Sequence, residues 1–259
     1  MRYCKIMSEN GAQYAMVEER SGELWAVKAM AAPPEDPTAV ADSFHAAPLA
    51  KLKLLAPVRP SKIVCVGRNY RDHAAEMGND VPKEPLLFLK ATSALLAPGS
   101  AIRRPAQSQR VDFEGELGIV IGKRCYQIGD EDVRQYIRGY TCVNDVTSRD
   151  LQKSDGQWSR AKGFDTFCPV GPVVTDEVDA VTDALRVATE LNGEKRQSGS
   201  TSDLIFPVAE LLRYITAAMT LECGDLIATG TPAGIGPMQS GDVVRVTVSG
   251  IGSLENPVI

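Results

Sequence analysis

Histidine is nearly missing from this chain of 259 residues: His45 and His73 are its only two. A zinc site built on histidines is thereby excluded. The six cysteines (Cys4, Cys65, Cys125, Cys142, Cys168 and Cys223) contain no Cys-x-x-Cys pair, so a thiolate zinc site is excluded by spacing. Most of them lie in apolar stretches and read as reduced core residues of a cytoplasmic protein. No apolar run is long enough to span a membrane, and the N-terminus shows no signal-peptide apolar region. Positive charge is not in excess either. A net charge of −5 and a pI near 5.2 argue against nucleic acid or an anionic membrane surface as the main partner. The remaining composition, 44% hydrophobic and 24% charged, is that of a soluble globular protein. The length suffices for one large domain, or for one with a small appendage.

Against that background the segment Val111-Asp-Phe-Glu-Gly-Glu-Leu-Gly-Ile-Val-Ile-Gly122 stands out. Alternate side chains of a strand share a face, so Asp112, Glu114 and Glu116 project together, opposite Val111, Phe113, Leu117, Ile119 and Ile121. Neighbouring acids on that face lie about 7 Å apart, and their repulsion calls for compensation. A bound cation supplies it. Polar-out alternation on a half-solvated antiparallel strand is the alternative. Two details weigh against that alternative: Val120 joins the acidic face, and no Lys or Arg interleaves the acids. The pattern alone leaves both readings open. If a metal binds, its ligands are carboxylates, which selects a hard cation such as Mg²⁺ or Mn²⁺.

Along the chain, residues 2–7, 12–17 and 23–28 read as short strands, with turns at Glu9-Asn10-Gly11 and Ser21-Gly22. A low-information stretch covers 31–37, and Pro57 and Pro60 bracket a boundary. The expected division is a small β-rich unit at 1–58 and a main domain at 59–259. Within the latter, 63–66 reads as a strand and Asn69 as the N-cap of a short helix over 71–77, ended by Gly78 and Asn79. Strands follow at 86–90, 111–121 and 140–143, with Asp130 capping a short helix before the last. Residues 147–167 form a long polar loop of little period, a length that tends to carry function. Asn192-Gly193 marks a hairpin turn after the strand 185–191. Pro207 opens the clearest helix, with Val208, Leu211, Leu212, Ile215 and Met219 on one stripe. Strands at 225–229 and 243–248 flank the glycine-rich loop 229–236. That loop lacks the Lys-Ser/Thr ending of a phosphate-binding loop and leads into no helix, so it reads as a tight turn. Strands outnumber helices and no regular βαβ alternation appears, which disfavours a doubly wound sheet. His73 and Glu76, three apart, share one face of their short helix and are close enough to pair.

Six segments, in order, are similar to the fumarylacetoacetate hydrolase family. They are Gly67-Arg-Asn-Tyr-Arg-Asp-His-Ala-Ala-Glu76, Pro85-Leu-Leu-Phe-Leu-Lys90, Val111-Asp-Phe-Glu-Gly-Glu-Leu117, Asn144-Asp-Val-Thr-Ser-Arg-Asp-Leu-Gln152, Lys162-Gly-Phe-Asp-Thr-Phe-Cys-Pro-Val-Gly-Pro172 and Gly224-Asp-Leu-Ile-Ala-Thr-Gly-Thr-Pro232. Any one of them is weak evidence; six in order are specific, and they span essentially all of 60–259. The resemblance implies an α+β, β-rich fold, the mixed β-sandwich roll of that family's catalytic domain.

It also implies a site. Glu114, Glu116 and Asp145 would hold Mg²⁺ or Mn²⁺, with Asp112 as a supporting acid. His73 and Glu76 would form a general acid–base pair on a mobile lid, and Lys162 would be catalytic. Arg149, Gln152, Lys162 and Thr231 would anchor the substrate. The family implies metal-dependent chemistry on small 2-oxo or 1,3-dicarbonyl acids. Hydrolytic C–C cleavage of an acylpyruvate-type substrate through a metal-bound enolate leads. Decarboxylation or tautomerisation of oxaloacetate, or isomerisation and decarboxylation of 2-hydroxyhepta-2,4-diene-1,7-dioate-type acids, is the alternative. Relatives are commonly homodimers. The rival from another class is a binding protein that keeps the pocket without turnover, which the intact acidic triad disfavours.

Overall fold

The computed structural model of the protein describes residues 1–9, 11–30, 44–78 and 80–259. The expected turn residue Asn10, the stretch 31–37 and the helix-ending Asn79 lie outside the described residues. The fold is α+β and rich in strands, with few helices. Its large sheet runs, in spatial order, Ala47–Pro48, Glu23–Met30, Gly11–Arg20, Arg2–Ser8, Cys168–Thr175, Ile137–Asn144, Gly115–Ile121, Leu226–Ala228, Ile63–Gly67 and Leu86–Lys90. The N-terminal strands join it directly, through the antiparallel pairs Arg2–Thr175 and Tyr3–Val174. A four-stranded sheet follows the order Glu194–Ser200, Arg186–Leu191, Val243–Val248, Gly252–Pro257. The short strands Thr147–Ser148, Val111–Phe113 and Gly236–Pro237 make a third sheet.

Burial follows from the pattern of side chains. Ile63-Val-Cys-Val66 is apolar without interruption because both faces are covered. Val64 and Val66 enter one core with Leu117, Ile119, Val187, Val246, Val248 and Leu254, between the two larger sheets. Ile63 and Cys65 enter a second core with Phe113, Val120, Val143, Phe167 and Leu226. All six cysteines are free thiols. The hairpin at Asn192-Gly193 has φ values of 55° and 80°, the conformation a tight primed turn requires. The helix after Pro207 spans Val208–Ala218 and buries Val208, Leu211, Leu212 and Ile215. Met219 lies one residue beyond it, packed against the first core. Among the described residues, no helix is long and apolar enough to cross a membrane.

Several expectations need correcting. The acidic strand is two strands, Val111–Phe113 and Gly115–Ile121, in different sheets and broken at Glu114. Asn69 does not cap the short helix Arg71–Glu76; Tyr70 takes that position without a side-chain bond. The Asn69 amide instead donates to Phe206 O (3.1 Å) and Thr229 O (2.8 Å) and accepts from Phe206 N (2.8 Å). Asp132, not Asp130, caps the turn Val133–Tyr136, accepting from Arg134 N. The polar stretch 147–167 is not loop: it holds the helices Arg149–Asp155 and Ser159–Gly163. Arg149–Asp155 buries no residue fully, so no apolar period marks it.

One carboxylate ties the central parallel pair, Leu226–Ala228 beside Ile63–Gly67, to the chain entering it. Buried Asp225 accepts from Ser61 N (2.8 Å), Ser61 Oγ (2.7 Å), Lys62 N (3.0 Å) and Glu222 N (2.8 Å), and pairs with Lys62 Nζ. Burial pushes this carboxyl up, but Lys62, the Glu222 amide and Ser61 outweigh it and hold it below the usual range. A depressed carboxyl stabilises the fold above its unfolded value, near pH ~3.9. That contribution is lost as pH falls through the folded value. Asp225→Asn is therefore expected to cost about 1–3 kcal/mol at pH 7, and less at pH 3. Denaturant titrations at the two pH values check this; an equal cost at both would refute the charge-based account.

Candidate active site

A cavity of about 660 Å³ opens where the large sheet and the short three-stranded sheet meet the short helices. Its lining contains every site residue named from the sequence: His73, Glu76, Glu114, Glu116, Asp145, Arg149, Gln152, Lys162 and Thr231. Glu114 stands at the break between its two strands, where its N–H donates to Asn144 Oδ1 (2.9 Å) and its carbonyl accepts from Asp145 N (2.8 Å). This cross-link brings Asp145, just past the strand Ile137–Asn144, beside Glu114. One carboxylate oxygen each of Glu114, Glu116 and Asp145 lies within 4.8 Å of the others.

The acids are not without cations, as the sequence segment alone suggests. Basic side chains arrive from other elements. Arg149 donates to Asp112 Oδ2 (2.9 Å), to Gln152 Oε1 (2.9 Å) and to Glu114 Oε1. Lys162 Nζ lies 2.7 Å from Glu114 Oε2 and 2.5 Å from Asp145 Oδ2. Lys90, buried at the end of its strand, pairs with Asp145 Oδ1 at 2.5 Å. Arg110 grips Asp112 with bonds of 2.9 and 3.1 Å. Much of the repulsion assigned to a missing ion is thus met by the protein itself. Lys90 was not singled out from the sequence; its signal is a charge closing the apolar run Leu86-Leu-Phe-Leu89.

Glu116 is the exception. It is 2% exposed, accepts from Gly230 N at 2.8 Å, and no cationic side chain among the described residues pairs with it. Burial, then the charges of Asp145 and Glu114, push its carboxyl well above the ordinary range. Burial also raises the Glu114 carboxyl, but Arg149 and Lys162 outweigh it and hold that group down. A buried carboxyl without a cationic partner takes either a proton or a cation. A divalent ion fits: carboxylates about 2.1 Å from a shared octahedral ion stand at most ~4.2 Å apart, and these three oxygens lie within 4.8 Å of one another. Glu114, Glu116 and Asp145 would hold it.

Lys162 is a donor here. Burial lowers its tendency to hold a proton, but Asp145 and Glu114 more than restore it, so it stays an ammonium. His73, 5% exposed, sets Nδ1 3.3 Å from Glu76 Oε2 in the same cavity. Glu76 also accepts from Gly234 N at 3.1 and 3.2 Å. Gly234 has φ of 101°, and a Cβ there would fall 2.1 Å from Arg196 O. The glycine-rich turn thus serves to present a bare amide to the short helix. Thr231 Oγ1 donates to Gly115 O (2.9 Å) and accepts from Gln197 Nε2 (2.8 Å). Buried Gln197, also absent from the sequence reading, fixes the position of that hydroxyl.

Residues 62–259 match the family described as fumarylacetoacetate (FAA) hydrolase, C-terminal, and the chain belongs to this family of enzymes. It is 44% identical to the crystal structure of 2-hydroxyhepta-2,4-diene-1,7-dioate isomerase from Mycobacterium marinum, with a TM-score of 0.88 over 100% of this chain and 98% of that one. It is 44% identical over 223 residues to oxaloacetate tautomerase YisK of Bacillus subtilis (strain 168), covering 81% of this chain and 74% of that protein. The structure of fumarylpyruvate hydrolase from Pseudomonas aeruginosa in complex with Mn²⁺ and pyruvate is 33% identical, with a TM-score of 0.72 over 79% of this chain and 91% of that one.

Proposed function

We propose that the chain is a divalent-metal-dependent enzyme acting on small 2-oxo or 1,3-dicarbonyl acids, and that it hydrolyses the C–C bond of an acylpyruvate-type substrate. The observation that carries this reading is Glu116, the buried carboxylate without a cationic partner, set beside Glu114 and Asp145 in a cavity that also holds an imidazole–carboxylate pair. Glu114, Glu116 and Asp145 are the proposed ligands of Mg²⁺ or Mn²⁺. When bound, such an ion supplies Lewis-acid stabilisation of negative charge developing on the substrate's 2-oxo oxygen.

The residues of the chain supply the rest. With Nδ1–H directed at Glu76, the His73 Nε2 is free to take a proton from water, and Glu76 stabilises the imidazolium that results. The activated water attacks the distal carbonyl, the C–C bond breaks, and the released enolate is protonated to a 2-oxo acid. Lys162 and Arg149, fixed by buried acids, keep positive charge next to the substrate's carboxylate and oxo groups. Gln152 and Thr231 complete the anchors. A homodimer is part of the proposal.

A second reading, proton transfer without hydrolysis, has one observation in its favour. The relatives named as isomerase and tautomerase are each 44% identical, against 33% for the hydrolase. Assay of 1,3-dicarbonyl acids and oxaloacetate with Mg²⁺, Mn²⁺ or chelator, with products identified by NMR, separates the two. Hydrolysis releases two acids; proton transfer changes only the enol–keto ratio. Turnover indifferent to chelator would overturn both.

A further inference from the structure

We infer that Arg68 reads a second carboxylate at the far end of the substrate, so that the preferred substrates are diacids rather than acids with a methyl-ended acyl tail. The inference rests on the reading above and deepens it. Arg68 lines the same cavity as the acidic triad. The other arginines there are committed: Arg149 to Asp112, Glu114 and Gln152, and Arg110 to Asp112. Lys162 is held by Glu114 and Asp145. Among the described residues none forms a hydrogen bond or ion pair with the Arg68 guanidinium, although the residue is half-buried. A planar fork of donors left open in a cavity matches a carboxylate, which accepts two parallel bonds from it.

The backbone holds this residue deliberately. Arg68 has φ of 56°, a left-handed conformation uncommon outside glycine and found where surroundings over-determine it. Its neighbours do so. Asn69 is pinned by three side-chain hydrogen bonds to Phe206 and Thr229, and its carbonyl accepts from Ile205 N at 2.8 Å. On the other side Gly67 lies under Trp158, whose ring would meet an added Cβ at 3.0 Å. Size agrees with charge. A three-carbon 2-oxo acid at the triad leaves most of 660 Å³ to a tail. Phe88, edge-on to Trp158 at 5.2 Å, together with Met77 and Ile235, gives that tail apolar walls.

The test compares wild type, Arg68→Met and Arg68→Lys on two acylpyruvates of equal length, one ending in a carboxylate and one in a methyl group, with Mn²⁺ present. Wild type is expected to favour the carboxylate-ended acid. Arg68→Met is expected to lose roughly 10–10²-fold in kcat/KM on that acid, chiefly through KM, with little change on the methyl-ended one; Arg68→Lys recovers part of the loss. Calorimetric binding of a saturated diacid, its methyl-ended analogue and pyruvate reads the same contact without turnover. Unchanged pyruvate affinity in Arg68→Met shows that the site is intact. Equal losses on both acids, or equal affinity of wild type for the diacid and its analogue, would overturn the role of Arg68. Absence of any metal-dependent turnover, with selective diacid binding retained, would instead defeat the proposed reaction and leave the Arg68 contact standing.

Discussion

Replacing Glu116 with alanine is expected to lower metal-dependent turnover by about 10²–10⁴, the several kcal/mol that a lost Lewis acid removes at ~1.4 kcal/mol per decade. The fold should persist. Glu116 is buried next to two other acids and accepts a hydrogen bond from Gly230 N, so its removal relieves repulsion while leaving the packed sheets untouched. Lys90, Lys162 and Arg149 would keep Glu114 and Asp145 paired. Calorimetric titration with Mn²⁺, alongside circular dichroism, is the direct check. Wild-type Mn²⁺ affinity in a folded Glu116→Ala protein would remove Glu116 from the ligand set.

His73→Ala should reduce the rate by roughly 10²–10⁴, the range for a lost general acid–base group, with Mn²⁺ affinity retained. The two substitutions therefore separate by metal binding even where their rates coincide. His73 is nine-tenths or more buried, and its Nδ1 faces Glu76, which leaves its other ring nitrogen for the substrate side. Alanine opens a small polar gap but breaks no contact between sheets. A variant with wild-type turnover would show that the imidazole takes no part in the slow step.

The sequence made the triad legible because family motifs preserve order, and because period-two alternation put Glu114 and Glu116 on one face. The break at Glu114 was hidden by the same alternation, which runs through the switch between sheets without a slip. The counter-ions were hidden for another reason. Lys90, Arg149 and Lys162 lie tens of residues from Glu114 and Glu116, so only the chain's tertiary path reveals that they meet. Helix Val208–Ala218 was readable from its apolar stripe, whereas Arg149–Asp155 has no buried residue to set a period. Asn69 misled by type: a residue common at helix starts is used instead as a three-way strut between distant segments.

Glu76 divides its carboxylate between the imidazole of its own helix and the amide of Gly234, 158 positions along the chain. In the proposed reaction His73 therefore depends on a contact made far along the chain. Parting the helix from the glycine-rich turn would leave Glu76 held from one side only, and with it the orientation of the imidazole.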